Sequence, residues 1–476
     1  MQPASSSSAT LLENGLSVPA DLLKKYDTTG PRYTSYPTAP VWHEGYTASS
    51  HRAAIAESNQ DPRYTGLPLS IYMHLPFCEA RCLFCACNVI ITQQRDQAKT
   101  YLEYLYREIE MTASRMNTAR PVIQYHWGGG TPTYLSPEQM SALFRFSKEH
   151  FTFDPDAEIA IEVDPRITTR EQIATLRELG FNRVSLGVQD FDATVQEAVH
   201  RIQPISQTAA MLDQCRELGF KGINFDLIYG LPHQTPDTFN QTLTEVLAMA
   251  PDRIALYNFA HVPWMAPHQK AIDEGALPDG ESKFRIFRTA LNRFLEAGYI
   301  YIGMDHFARP DDELAQALHN NTLHRNFMGY TVAPPADLYG FGVSAISGLQ
   351  DHYGQNVKKL SQYYEHLDQK SLPTARGLTL GGEDHLRRDI ILTILCRGQL
   401  DYAAIQAKHG VHIPEHFPDA LHRLAPMAQD GLLTLHDSGF TLTPLGRVFS
   451  RNIAMPFDEY LPKQQAAEKP TFSKTL

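Results

Sequence analysis

The sequence of 476 residues has fewer basic than acidic residues and no long apolar run, and each lack excludes a class of protein. No stretch approaches the roughly 20 consecutive apolar residues that a membrane-spanning helix needs. The 42 Lys and Arg are outnumbered by 53 Asp and Glu, which gives a net charge of −11 and argues against a nucleic-acid partner. The opening residues MQPASSSSATLLENG lack the basic and then apolar pattern of a secretory signal. We therefore expect a cytoplasmic globular protein with no membrane span.

Cysteine is scarce as well, with six residues in the chain, yet four of them lie within ten positions. We expect no disulfide framework, because a reducing compartment keeps thiols free and a chain of this length can build its own core. Cys215 and Cys396 each lie in an apolar helical pattern, so we expect both to pack in the core. The other four are typical of a metal or iron–sulfur site: Cys78, Cys82, Cys85 and Cys87.

A regular alternation of strand and helix patterns begins at Leu69 and is the clearest indication of the fold. Six apolar strands are each followed by an amphipathic helix, which predicts a parallel sheet covered by helices. The predicted strands span residues 69–74, 122–127, 157–163, 183–189, 223–229 and 253–259. A seventh strand is predicted at 299–304, and the alternation fades after about residue 305.

Polar residues near the ends of three consecutive strands share one face of the predicted sheet. Glu162, Gln189 and Asp226 each point away from the aliphatic residues of their own strand, because successive strand residues alternate between the two faces. In a flat sheet with helices on both faces, these groups would be buried without partners, at a cost of several kcal/mol each. We therefore predict an α/β fold built on a partial, open parallel β/α barrel of about six βα units, with its site at the carboxyl ends of the strands.

Four regions are predicted along the chain. Residues 1–20 are rich in serine and are predicted to form a mobile tail, and residues 21–66 form an N-terminal arm that contains the extended segment GPRYTSYPTAP. The barrel domain is assigned to residues 67–380. Residues 381–476 are predicted to form a small, mainly helical domain with a hairpin around residues 437–439, an order that is typical of a winged helix. We do not expect this domain to bind DNA, because no helix in it is dense in Lys and Arg.

The segment CEARCLFCAC follows the first predicted strand and carries the chemistry of the site. A zinc site usually takes four ligands in two separated pairs, and a fully ligated iron–sulfur cluster also takes four thiolates. The spacing CxxxCxxC supplies three thiolates from one loop, which on a [4Fe–4S] cluster leaves one iron open; a structural metal loop is the alternative. With Phe84 before its last cysteine, the motif resembles the signature of the radical S-adenosylmethionine superfamily, in which S-adenosylmethionine chelates the open iron.

Further motifs indicate which family within this superfamily the sequence resembles. HWGGGTPTYL follows the second predicted strand, and PRYTSYPTA, IEVDPR, FNRVSLGVQDF, DLIYGLP and LHRNFMGYT are distributed along the chain from about Tyr26 to Leu461. Together they are similar to the family of oxygen-independent coproporphyrinogen III oxidases. The resemblance implies that Cys78, Cys82 and Cys85 bind one [4Fe–4S] cluster, and that the neighbouring Cys87 does not ligate iron.

The resemblance also implies two bound molecules of S-adenosylmethionine and a set of residues that contact them. Two members of this set, Tyr72 and Glu162, are expected to take part in catalysis as well. The complete set of expected cofactor-binding residues is Tyr72, Phe84, Gly129, Gly130, Thr131, Glu162, Gln189, Arg201, Asp226, Ala260 and Ile346.

The implied reaction is an oxidative decarboxylation in porphyrin biosynthesis. A 5′-deoxyadenosyl radical removes hydrogen from two propionate side chains of coproporphyrinogen III, which become the vinyl groups of protoporphyrinogen IX. An electron donor such as flavodoxin or ferredoxin is expected, and we expect the protein to be a monomer. Arginine suits the carboxylates of this substrate because its guanidinium forms paired hydrogen bonds. The candidate arginines lie in the family-like motifs: Arg32, Arg166, Arg309 and Arg325.

One position departs from the family pattern, since Met328 stands where glutamine is usual in the segment HRNFQGYT. This departure leaves open a related radical enzyme that methylates or opens the ring of another tetrapyrrole. A haem carrier without enzyme activity is a second alternative, although such relatives generally lack the PRYTSYPT segment. We also hypothesise that the arm and the C-terminal domain close over the barrel mouth and keep solvent from the radical.

Overall fold

The computed structural model describes residues 19–465, 472, 474 and 475, so nearly all of the predicted tail at 1–20 lies outside the described residues. Twelve strands of the described chain form one sheet. In chain order they are β1 (Leu69–Leu75), β2 (Val122–Gly129), β3 (Phe153–Val163), β4 (Arg183–Gln189), β5 (Gly222–Tyr229), β6 (Arg253–Asn258), β7 (Ile300–Gly303), β8 (His306–Ala308), β9 (Asp337–Phe341), β10 (Ile346–Leu349), β11 (His352–Asn356) and β12 (Thr374–Thr379). Their order across the sheet is β12–β11–β10–β9–β1–β2–β3–β4–β5–β6–β8–β7.

The central part of the sheet is parallel, as the alternation of strands and helices predicts. Strands β1 to β6 pair in parallel in their chain order, and a helical connection follows each of them. These helices span Asp96–Ala113, Pro137–His150, Arg170–Leu179, Ala193–Ala198, Ile205–Glu217, Pro236–Met249 and Gly280–Glu296. Since β12 and β7 are the edges of this sheet in the described chain, the sheet stays open. The predicted partial β/α barrel is confirmed.

Short polar residues begin three of these helices. The hydroxyl of Ser136 accepts a hydrogen bond from the backbone N–H of Gln139, and Thr169 and Thr235 form the same kind of cap at their own helices. Gly180 ends the helix Arg170–Leu179 with φ 104°, a left-handed conformation that glycine adopts without a steric penalty. Local sequence therefore sets the boundaries of the βα units.

Strands β9 to β12 lie beyond about residue 305, where the predicted alternation fades, and the sequence analysis did not predict them individually. β9 extends the parallel part of the sheet on the other side of β1, and β10, β11 and β12 follow it in antiparallel pairs. The fully buried Asp337 at the start of β9 pairs with Arg120, with Nη2 and Oδ2 at 2.6 Å. This pair joins positions 217 residues apart, so no local pattern reveals it. The predicted seventh strand is present as β7, but it pairs antiparallel with β8.

The arm packs between the barrel and the C-terminal domain. Residues 30–38 of the arm form no helix or strand and are followed by the short 3₁₀ helix Ala39–Val41, and the buried Tyr33 donates a hydrogen bond to Asp458 at 3.0 Å. Outside this segment, the arm region also contains the helices Ala20–Tyr26 and Ala48–Gln60, which the sequence analysis did not predict. Two helices follow the barrel strands elsewhere: Glu313–His319 and Leu360–Asp368.

The C-terminal region has the helices and the hairpin that its sequence predicts. A three-stranded sheet, formed by Gln399–Asp401, Leu433–His436 and Gly439–Leu442, packs with the helices. These helices span Gly382–Arg397, Tyr402–His409, Ile413–His416, Pro418–Gln429, Pro444–Val448, Ser450–Ala454 and Leu461–Gln465. Cys396 is buried here, and Cys215 is buried in the barrel core, as predicted for both. Across the described residues, no helix has the length and apolarity needed to cross a membrane.

Candidate active site

The barrel encloses a cavity of about 520 Å³ on the face of the sheet opposite to the helices. The aliphatic residues of the same strands, such as Ile161, Leu186 and Leu227, point to the helices and are fully buried. Each of the six predicted strands contributes a polar or aromatic residue to the wall: Tyr72, His126, Glu162, Ser185, Asp226 and Tyr257. The inward orientation predicted for Glu162 and Asp226 is therefore observed.

The cysteine loop lies at the carboxyl end of β1. Short strands Phe77–Cys78 and Ile90–Ile91 pair and close its base, while Cys82 is buried and Cys78 and Cys85 are half-buried. Burial raises the pKa of Cys78 to about 11, whereas a hydrogen bond from the neighbouring Cys87 lowers the pKa of Cys85 to about 7. No three His, Cys, Asp or Glu of the described chain converge on one metal ion. The loop presents the thiols of Cys78, Cys82 and Cys85, which are the ligand type that iron–sulfur clusters use.

Two guanidinium groups approach the sulfur of the buried cysteine. Arg166 and Arg201 each lie with a nitrogen 3.5 Å from Sγ of Cys82. Asp164 fixes both arginines, since its Oδ2 lies 2.7 Å from Arg166 and 3.2 Å from Arg201. Guanidinium groups beside this sulfur are complementary to the negative charge of a thiolate-bound cluster. Arg201 was a predicted cofactor contact, but Asp164 was not recognised from the sequence, although it lies in the motif IEVDPR.

The glycine segment after β2 supports the cysteine loop. Gly130 donates a backbone hydrogen bond to Leu75 at 2.9 Å, and Thr131 donates one to Phe77 at 2.8 Å. A Cβ on Gly130 would lie 2.6 Å from the carbonyl oxygen of Pro76, which is closer than real side chains approach. Gly130 is thus required by packing against the backbone before Cys78. The hydroxyl of Thr131 also lies 3.4 Å from the sulfur of Cys78.

His126 contacts both of the predicted catalytic residues, Tyr72 and Glu162. The rings of Tyr72 and His126 stack at 5.8 Å, and Nε2 of His126 lies 3.5 Å from Oε1 of Glu162. Withdrawal from bulk water opposes ionisation of Glu162, but hydrogen bonds from His126 and from the backbone N–H of Gly129 outweigh it and lower its pKa. The sequence analysis missed His126, although it shares the inward face of β2 with Gly128.

Asp226 forms a second acidic position in the same wall. Ser185 donates to its Oδ2 at 2.8 Å and Asn224 donates to its Oδ1 at 2.9 Å. Desolvation, with the repulsion of Glu162, raises the pKa of Asp226 to about 6. The two carboxylates make this part of the cavity suited to a cationic ligand, and their ionised forms accept hydrogen bonds from hydroxyl or ammonium groups.

The remaining predicted cofactor contacts surround the loop. Gln189 ends β4 in a left-handed conformation (φ 67°), and its amide lies beside Arg201 above Gly187. Phe84 packs in an apolar cluster with Phe259, next to Ala260. The side chain of Gln269 donates to the carbonyl oxygens of Phe84 at 3.1 Å and of Ala260 at 3.2 Å. Ile346 lines the barrel cavity from the start of β10.

The four arginines predicted for the substrate have separate environments. Arg32 pairs with Asp305 and lies 5.3 Å from the ring of Tyr257. Arg309 is 45% exposed and approaches Asp311 at 3.5 Å. Arg166 belongs to the cysteine loop, as described above. Arg325 is buried on the hairpin formed by His324–Asn326 and Gly329–Thr331.

The barrel and its cysteine loop define a broad class of protein. A model of the radical S-adenosylmethionine superfamily matches residues 72–246, which cover β1 to β5 and the cysteine loop. A model of the HemN C-terminal domain matches residues 380–449.

Relatives that match nearly the full chain identify a family within this superfamily. The oxygen-independent coproporphyrinogen III oxidases of Salmonella typhimurium and Escherichia coli are each 45% identical over 96% of this chain and 98% of their own length, and that of Synechocystis is 43% identical over similar shares. The solved structure of coproporphyrinogen III oxidase (HemN) from Escherichia coli, described as a radical SAM enzyme, matches with a TM-score of 0.88 and 43% identity, over 94% of this chain and all of that one. The chain belongs to the family of oxygen-independent coproporphyrinogen III oxidases.

Membership in this superfamily assigns a [4Fe–4S] cluster and S-adenosylmethionine as the cofactors. The residues present fit them. One loop presents three thiolates, two guanidinium groups face the buried one, and two carboxylates stand in the adjoining cavity. The donor set thus suits an anionic cluster next to a cationic sulfonium compound.

Proposed function

We propose that this protein converts two propionate side chains of coproporphyrinogen III into vinyl groups and so forms protoporphyrinogen IX. The observation that carries the proposal is the three-thiolate loop at the carboxyl end of β1, beside an acidic cavity, in a chain 45% identical to enzymes of that name over 98% of their length. The match includes the arm and the C-terminal domain as well as the barrel. A barrel shared with the superfamily alone would support a much wider range of reactions.

In this proposal, Cys78, Cys82 and Cys85 bind the cluster, and Cys87 remains a free thiol. A [4Fe–4S] cluster held by these cysteines would supply the one-electron reduction that cleaves S-adenosylmethionine. Arg166 and Arg201 would place positive charge beside the cluster through their contacts with the sulfur of Cys82.

The chain orients the cofactor through the polar wall of the cavity. The carboxylates of Glu162 and Asp226 accept hydrogen bonds from hydroxyl and ammonium groups, while Tyr72 and Ile346 provide the apolar sides. The stacked Tyr72 and His126 fix the Glu162 carboxylate in position.

We further propose two molecules of S-adenosylmethionine in this site. Support comes from the two carboxylates, Glu162 and Asp226, which give two acidic positions for cationic ligands in the wall of one cavity. A ferredoxin or flavodoxin as the electron donor and a monomeric state stay predictions.

Anaerobic reconstitution with iron and sulfide, followed by reaction with coproporphyrinogen III, S-adenosylmethionine and dithionite, tests the proposal. We expect protoporphyrinogen IX and carbon dioxide, with one 5′-deoxyadenosine for each vinyl group formed. A methylated or ring-opened product would instead favour the alternative of another tetrapyrrole reaction. Tight haem binding without any 5′-deoxyadenosine would favour the haem carrier.

A further inference from the structure

The guanidinium of Arg325 is buried without adequate partners inside the protein. The residue is 8% exposed, and its Nε and Nη1 have no hydrogen-bond partner among the described residues. Its Nη2 makes one long contact, at 3.4 Å, with the carbonyl oxygen of Arg32. The guanidinium carbon also lies 4.7 Å from the ring centre of Tyr330, a cation–π contact that supplies no hydrogen-bond acceptor in the plane of the guanidinium.

The charged groups near Arg325 do not supply a negative counter-charge for its guanidinium. No carboxylate of the described chain lies within 4.0 Å of its nitrogens, while Arg32 nearby is already paired with Asp305. The buried Arg451 is satisfied by backbone carbonyl oxygens, including that of Pro31 at 3.0 Å. Burying a cation without a counter-charge is strongly unfavourable, because the low-dielectric interior does not replace its hydration. This region is therefore complementary to an anion.

Arg325 lines a second cavity, of about 480 Å³, between the barrel, the arm and the C-terminal domain. Residues Thr34 to Tyr36 of the arm and the helix Gly382–Arg397 form other parts of its wall. Four residues line both this cavity and the barrel cavity: Gln124, Asn326, Phe327 and Leu338. The hairpin that carries Arg325 is thus the partition between the two cavities.

We infer that the cavity at Arg325 is a carboxylate subsite, in which the guanidinium binds a propionate of the tetrapyrrole while another propionate reacts in the barrel. This inference rests on the proposed function. Among the four arginines that the sequence suggests for this role, Arg325 lines a cavity and has no carboxylate partner among the described residues, whereas Arg32 and Arg166 are paired with Asp305 and Asp164. Arg325 is a positioning residue, since it acts on a part of the substrate that is not being transformed.

The test measures equilibrium binding of coproporphyrin III, the stable oxidised form of the substrate, by fluorescence. All titrations use the full-length protein and the same low detergent concentration. We expect R325Q to bind about 10- to 100-fold more weakly than the wild type, the usual effect of losing a charge-assisted hydrogen bond. R325K keeps the charge but not the planar fork and should fall between the two. The matched control is R170Q, because Arg170 is exposed and lines neither cavity.

The tetramethyl ester of coproporphyrin III separates carboxylate recognition from other effects. We expect the wild type to bind the ester about as weakly as R325Q binds the free acid, and R325Q to discriminate little between acid and ester. Equal binding of the free acid by R325Q and the wild type would overturn the inference. So would an equal loss for both porphyrins, since that result indicates a general disturbance of the hairpin.

Kinetics distinguish failure of the inference from failure of the proposed function. In reconstituted R325Q we expect KM for coproporphyrinogen III to rise about 10-fold or more, with iron content and substrate-free cleavage of S-adenosylmethionine unchanged. A wild type that does not convert coproporphyrinogen III contradicts the proposed function. A wild type that converts it, alongside an R325Q variant with unchanged KM, contradicts the carboxylate subsite alone.

Discussion

The two sides of the barrel mouth are constructed differently. On the cysteine side, residues 77–92 and 128–131 interlock through the backbone, where Thr131 donates a hydrogen bond to Phe77 at 2.8 Å. Its arginines are compensated by Asp164. On the hairpin side, residues 324–331 meet the arm almost 300 positions away, where the ring of Phe327 packs on Trp42 at 5.7 Å, and Arg325 has no acidic partner within the described chain. The cofactor side is largely complete without its ligand, whereas the hairpin side has an unbalanced positive charge that a ligand can neutralise.

The largest effect is expected from removing one of the proposed cysteine ligands on the cysteine side. Replacing Cys78, Cys82 or Cys85 by serine should abolish the cluster and turnover, because each thiolate holds one iron. Iron content and absorbance after anaerobic reconstitution measure the effect. Cys87→Ser is the matched control and should retain most of its iron. A Cys87→Ser protein that contains no iron would contradict the assignment of three ligands.

Gly130→Ala tests the close backbone contact between the glycine segment and the cysteine loop. The added methyl group would lie 2.6 Å from the carbonyl oxygen of Pro76, so the cysteine loop must move. We expect a stability loss of about 1–3 kcal/mol and a fall in turnover of at least about 10-fold. Chemical denaturation and reconstituted activity report the two effects. Gly66→Ala is the control, since no atom lies within 4 Å of its added Cβ. Equal behaviour of the two variants would show that the loop tolerates displacement.

The acidic wall between the two sides should give the cofactor-free protein a distinct pH dependence. Because the pKa of Asp226 is raised to about 6 in the folded state, the folded protein binds this proton more tightly than the unfolded chain does. Its contribution to stability is therefore greatest below about pH 4 and is lost as the pH rises through 6. Relative to Asp226→Asn, the wild type should lose about 1–2 kcal/mol of unfolding free energy between pH 4.5 and 7.5, since the carboxylate is half-buried. Denaturant titrations at several pH values measure this difference, and a gap independent of pH would contradict it.

The smallest effect concerns the arm on the hairpin side. Tyr33→Phe removes the hydrogen bond from the buried hydroxyl to Asp458. We expect the free energy of unfolding to fall by about 1 kcal/mol, with iron content unchanged. Chemical denaturation measures the loss of stability, and iron analysis shows whether the cysteine side is affected. Loss of iron in Tyr33→Phe would show that the arm and the cysteine loop are coupled.

Much of the barrel follows from local sequence because its signals are local. The six parallel strands, the capped helices and the inward position of Glu162 and Asp226 can be predicted from alternation and from short capping residues. Strand β9 cannot, since its position depends on the buried pair of Asp337 and Arg120. His126 was missed for a related reason, because its role appears once β2 lies beside Glu162 on β3.

By itself, the sequence determined the three-cysteine loop, the order of the βα units and the family, because each is encoded in contiguous residues. Only the tertiary structure decided which polar groups compensate one another. It paired Arg166 with Asp164 and Arg32 with Asp305, and it left Arg325 facing a cavity without a counter-charge. The physical reason is that charge balance in a buried site depends on distances between segments far apart in the chain, and no local pattern specifies those distances.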